Sequence, residues 1–162
     1  MPGVDQQRAA GFTMALTYAF GALGIGLAFS TAFSAEPSLR WGCLFAVGVA
    51  GVLSFVRHSL LDRGDATRMG WDNGKPNPFQ IEVGLANLAW GILAILAVAL
   101  DWGLAVYSAC FLVFGIYMAA VTVFKALRAA AGEPGGWRPV LPAGSFAALL
   151  IVIGSAGMSA VG

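Results

Sequence analysis

The chain has 162 residues, of which 59% are hydrophobic and only 10% are charged, with a formal net charge of +1. Ordinary soluble domains carry about 25% charged residues, so this balance and a mean hydropathy of +0.80 exclude a typical soluble domain and point to an integral membrane protein. The near-neutral charge gives no field for nucleic acid, and two cysteines in separate apolar runs, with no CxxC, give no metal-binding or thiol-exchange motif.

A membrane-crossing helix needs about 20 mostly apolar residues. The uncharged stretches between Arg8 and Glu36, Arg40 and Arg57, Glu82 and Asp101, Asp101 and Lys125, and after Arg138 meet or approach this length. They predict five spans at about 9–34, 39–58, 78–100, 102–126 and 140–161, in one membrane domain over residues 1–162. The first span is longer than the apolar part of a signal peptide, about 7–15 residues, and is expected to be retained. The second is the shortest, so Arg40 and Arg57 are expected to snorkel from its ends. Gly21, Gly24 and Gly26 crowd the first span. Gly42, Ala46 and Ala50 step through the second at intervals of four, as helix-contact residues do in lipid. "GALGIG" lies mid-span with no strand before it, so it is not a phosphate loop.

With five spans, eight of the nine Lys and Arg residues fall on one side: Arg8, Arg57, Arg63, Arg68, Lys75, Lys125, Arg128 and Arg138. Only Arg40 lies on the other. The positive-inside rule then puts the N-terminus in the cytoplasm and the C-terminus outside. Trp41, Trp71, Trp102 and Trp137 fall close to span ends, as interfacial anchors do, while Trp90 is mid-span.

The connection "RHSLLDRGDATRMGWDNGK" mixes four basic and three acidic residues with the chain's one histidine, His58. Two readings compete. One is a small charged site of His58, Asp62, Asp65 and Arg68 near Glu82; the other is a solvated extension of the second span with local pairs such as Asp65 with Arg68. Neither a transition-metal site nor a nucleophile triad is readable here. The third span opens at Asn77, a good N-cap, followed by Pro78 at the first helical position and Gln80 in capping-box register. Gly84, Asn87 and Gly91 then share one face, which predicts a close helix contact with an interhelical hydrogen bond from Asn87. Glu82 borders that face and is expected to point into protein, because a carboxylate against lipid is costly. Arg57, His58, Tyr117 or Thr122 could hold it.

Only Asp101, Trp102 and Gly103 separate the third and fourth spans, which predicts a tight antiparallel hairpin with Asp101 capping the fourth helix and Asn87 level with Gly115. Gly144 and Ala148 continue the small-residue pattern in the last span. No internal repeat is evident, which weighs against an inverted-repeat transporter.

The stretch from Arg57 to Gly91, about a fifth of the chain, resembles a group of small, uncharacterised bacterial multi-pass membrane proteins. In that group Pro-Phe-Gln-x-Glu opens a helix and Gly-x-x-Asn follows, matched here by Pro78, Phe79, Gln80, Glu82, Gly84 and Asn87. The resemblance implies a shared bundle and no activity. A looser likeness to DoxX-like proteins rests on size and hairpins, and the fifth span departs from it.

These observations predict an all-α membrane bundle of five helices without a cofactor or catalytic residue. The leading expectation is a non-catalytic subunit or homo-oligomer in the lipid bilayer, joined through Gly/Ala faces, with no nucleic-acid partner. The alternatives are a small transporter or channel titrating on Glu82 and an enzyme acting on lipid. The candidate polar cluster is Glu82, Asn87, His58, Arg57, Tyr117, Asp62 and Arg68.

Overall fold

The computed structural model describes residues 4–69, 72, 74–132 and 136–161. It is all-helical, with helices α1 (Val4–Ala32), α2 (Arg40–Leu60), α3 (Asp62–Arg68), α4 (Pro78–Ala99), α5 (Leu104–Ala130) and α6 (Val140–Ser159). All but α3 are long and apolar enough to cross a membrane. Within α2 the stretches Leu44–Val49 and Val56–Leu60 are π-helical. Trp41, Trp102 and Trp137 are exposed near helix ends, and Trp71 lies outside the described residues.

The helices assemble as a group of three, α1, α2 and α4, and a pair, α5 and α6. Glycines set the contacts of both. A Cβ at Gly24 would overlap the Ala46 backbone, and one at Gly42 would overlap Ala28, so α1 lies directly on α2. On the other side of α2, Gly48 and Gly51 meet Gly91 and the Asn87 carbonyl of α4. In the pair, Gly115 of α5 abuts Leu150 and Ile151, while Gly154 and Gly157 of α6 abut Ser108. Where group and pair meet, Leu39, Val47, Phe111, Leu150 and Ile153 are fully buried. The free thiols Cys43 and Cys110 touch there.

Three local expectations are corrected. α4 and α5 do not form the tightest pair. The glycine face of α4 is turned to α2, so its contact with α5 falls to large rings: Trp90 stands 4.9 Å from Tyr117 and 6.0 Å from Phe114, centroid to centroid. Those rings hold the axes apart, and Gly115 serves α6 rather than Asn87. Asp101 does not cap α5, whose N-cap is Gly103 without a side-chain bond. Asp101 instead adopts a left-handed turn conformation (φ 51°) and accepts from the Tyr107 hydroxyl at 2.9 Å. Arg40 does not simply snorkel. It pairs with Asp101 at 3.5 Å and donates to the Val98 carbonyl at 3.1 Å, closing the end of the bundle opposite α3.

Gly24→Val is expected to lower stability by about 1–3 kcal/mol through overpacking. Gly26→Ala, where nothing lies within 4 Å, should leave it unchanged or slightly raise it. Thermal unfolding of the two variants in detergent compares them directly.

Candidate functional site

The polar cluster lies where α2, α3 and α4 meet, and each element is shaped to bring one side chain in. The last turn of α2 is widened into a π-helix carrying Arg57 and His58, a distortion often found at functional sites. At Leu61 the chain breaks (φ −115°, ψ 26°) and restarts as the short α3. Gly64 lets α3 lie on the Gln6 carbonyl of α1, since a Cβ there would collide with it. This places Asp65 inside the bundle with no solvent exposure. α4 starts as its sequence predicts: the Asn77 side chain accepts from the Phe79 and Gln80 amides at 3.1 and 3.4 Å. The Gln80 side chain, however, does not close a capping box. It turns inward and donates to Asp65 Oδ2 at 3.1 Å and to the Asp62 carbonyl at 3.3 Å.

Asp65 is therefore the centre. Its Oδ1 accepts from Arg68 Nη2 at 3.0 Å, and its Oδ2 lies 3.0 Å from His58 Nδ1. His58 Nε2 is 2.7 Å from Arg57 Nη2. A guanidinium can only donate, so Nε2 accepts and the neutral ring carries its proton on Nδ1, facing Asp65. Burial pushes the Asp65 carboxyl up, but His58, the Arg57 charge and Arg68 outweigh it and hold the group below its ordinary value of 3.8. Asp65 is thus ionised at neutral pH. Ser59 donates to the Ile81 carbonyl at 3.1 Å, and the bare Gly84 gives Ser59 and His58 room against α4. Beside the cluster, Asp72 accepts from the Gly74 amide at 2.9 Å and the Thr67 hydroxyl at 2.8 Å, which orders the connection.

The structure brings together Arg57, His58 and Arg68 of the sequence-predicted set. Asp62 joins through its backbone carbonyl. Asn87 is buried; its amide donates to the Val83 carbonyl of its own helix at 2.7 Å, and its side chain also meets the Tyr117 hydroxyl of α5 across the helix contact. Its backbone carbonyl, not its amide, makes the close approach to α2 at Gly51. Tyr117 borders Asn87 from α5.

Glu82 is not where it was expected. It is exposed on the outer face of α4, with Phe79 and Leu85 exposed around it. The helical wheel supplies the reason: Gln80, Gly84, Asn87 and Gly91 form the buried stripe, and Glu82 stands about 160° from Gly84. Arg57 and His58 turn to Asp65 instead. Asp65 was read in the charged connection with His58, Asp62 and Arg68, and its pair with Arg68 is present, but Gln80 was absent from the sequence-predicted set, although it precedes Gly84 by four and Asn87 by seven, which puts it on their stripe. No group of three potential metal ligands converges among the described residues.

Five apolar helices closed at one end by a buried ion cluster define a multi-pass integral membrane protein. A family model matches residues 8–155, and the chain belongs to that family, DUF6790, a family of unknown function. The match bears out an uncharacterised family, while the Pro-Phe-Gln-x-Glu stretch as its mark and the looser likeness to DoxX-like proteins gain no support. No curated protein and no solved structure matches the chain.

Asp65→Asn removes the charge that Arg68 faces and turns one of the two acceptor oxygens into a donor, so it is expected to destabilise the protein by about 3–5 kcal/mol, whereas Glu82→Gln should stay within about 0.5 kcal/mol. Because folding lowers the Asp65 value, its stabilisation is complete above pH 3.8 and is lost as pH falls below that. Unfolding measured from pH 6 down to about pH 3 should show an acid-induced loss in the wild type that Asp65→Asn lacks.

Proposed function

We propose that this protein is a non-catalytic integral membrane module, acting as a subunit or as a homo-oligomer, with the α3 end of the bundle in the cytoplasm of a bacterial inner membrane. The orientation follows from eight of nine basic residues lying on that side. The observation that carries the reading is the closed centre. Between the Asp65 cluster and the Arg40–Asp101 pair, the interior is filled by fully buried Val47, Phe111, Leu150 and Ile153 and by glycine contacts. The ion pairs gather at the two ends and leave the middle apolar, a pattern that suits holding helices together better than passing a solute.

The glycine faces serve contacts inside the chain, so association would use another surface. Glu82 on the outer face of α4, beside Phe79 and Leu85, is the natural place for a cation from a neighbouring chain.

One observation favours a second reading. The Arg57, His58, Asp65 relay is a buried acid–imidazole pair of the kind that moves protons. In that case the protein would be a small proton or ion carrier using Asp65 and His58 in place of Glu82.

Native mass spectrometry of the protein extracted from its membrane, with flux assays in proteoliposomes, separates the two. The module reading expects a homo-oligomer or a co-purifying chain, weakened by Glu82→Gln, and no flux. A monomer whose ion flux disappears in folded His58→Gln would contradict it.

A further inference from the structure

His58, the chain's one histidine, stands between the two signs of charge at the α3 end of the bundle. On one side its Nδ1 meets Asp65 Oδ2 at 3.0 Å; on the other its Nε2 meets Arg57 Nη2 at 2.7 Å. The second contact holds only while the ring is neutral. A guanidinium has no lone pair to offer, so Nε2 supplies one. That lone pair is also where a further proton binds, since Nδ1 already carries its proton toward Asp65.

A proton arriving from water at Nε2 therefore has two effects at once. It turns the acceptor into a donor aimed at a donor, and it puts a second positive charge beside the guanidinium at 2.7 Å. Like charges repel far more there than in open water, because the surroundings screen them less. The cluster has nothing to match the added charge. Arg68 occupies Asp65 Oδ1 at 3.0 Å, and His58 and Gln80 occupy Oδ2 at 3.0 and 3.1 Å. Arg57 makes no ion pair with that carboxylate among the described residues, and its Nε is buried without a partner. Of the three cations it is the one with the least to hold it.

The other groups around His58 do not change charge with it. From α3, Arg68 is bound to Asp65, Arg63 faces Asp72 at 3.9 Å, and Asp62 presents its backbone carbonyl to Gln80. From α4 the residue meets the bare Gly84, while Glu82 is turned to the outer face. Tyr18 of α1 and Tyr117 and Lys125 of α5 act on Arg57 electrostatically. Imidazole is the side chain whose charge ordinarily changes between about pH 5 and 8, whereas phenol, ammonium and guanidinium groups ordinarily keep theirs. Asp65 stays ionised across that range, because its value lies below 3.8.

We infer that His58 is a proton-operated latch: protonation at Nε2 ejects the Arg57 guanidinium from the cluster, so that the α3 end of the bundle presents this cation to its surroundings only in acid. The latch goes beyond both functional readings above and rests on neither, and its readouts involve no flux and no oligomer.

The test uses the full chain in detergent, taken from about pH 8 to about pH 5. Phenylglyoxal labelling, mapped by mass spectrometry of peptides, reads Arg57 relative to the exposed Arg8, so that the reagent's own pH dependence cancels. Nitrogen NMR of the single labelled histidine reads its protonation in the same samples. At the upper pH the ring should be neutral with its proton on Nδ1 and Arg57 protected. On acidification the Arg57-to-Arg8 ratio should rise about tenfold, the population change expected when one hydrogen bond to a charged group is lost, and in step with the histidine signal. His58→Gln, which offers Arg57 an acceptor at every pH, should keep the ratio low and flat. A wild type whose ratio does not change, or whose histidine is still neutral at the lower pH, overturns the inference without any variant. So does a folded His58→Gln whose ratio rises as the wild type's does.

Discussion

A carboxylate with no solvent exposure at the end of a membrane bundle sets the terms for the rest of this structure. Taking an unpaired ion out of water costs several kcal/mol even after relaxation, so Asp65 is tolerable only with His58, Arg68 and Gln80 in place. Each of those partners comes at the expense of something local. The last turn of α2 widens, the chain breaks at Leu61, and Gln80 gives up the capping interaction its position offers. In exchange, α2, α3 and α4 are tied at one point, and Gly64 brings α1 against the same assembly.

Small residues do the complementary work along the helices. Lipid offers no hydrophobic drive for helices to associate, so close backbone approach and dispersion supply it. Gly24, Gly42, Gly51, Gly91, Gly115 and Gly154 each stand where a side chain would strike a neighbouring helix. The group of three and the pair are both built this way. The contact between them adds large side chains to the buried core, with Trp90 of α4 against Phe114 and Tyr117 of α5.

Much of this was legible in the sequence. Uncharged run lengths and the one-sided distribution of Lys and Arg gave five spans close to the observed helices, and Asn77 with Pro78 marked the start of α4 to the residue. The Gly84, Asn87, Gly91 stripe was read correctly as a buried face. What escaped were choices made between elements. Gln80 and Glu82 are both polar and two residues apart, so only one of them can face inward. Sequence intuition favoured the charge, whereas the structure buries the amide and lets Asp65 arrive from a separate helix. That helix depends on the break at Leu61 and on the bare backbone at Gly64, neither of which announces itself in hydropathy. The α4–α5 hairpin was overestimated because a short connection fixes adjacency and not closeness, which Trp90 and Tyr117 decide.

The claim that Asp65 and Gln80 act as one unit across α3 and α4 is open to a double-mutant cycle. Unfolding free energies would be measured for the wild type, Asp65→Asn, Gln80→Leu and the pair in the same detergent. Direct contact predicts a coupling of about 0.5–3 kcal/mol, with the double variant less destabilised than the sum of the singles. Additivity to within about 0.3 kcal/mol would mean that the contact contributes nothing, and the clasp around Asp65 could not be what holds this end of the bundle together.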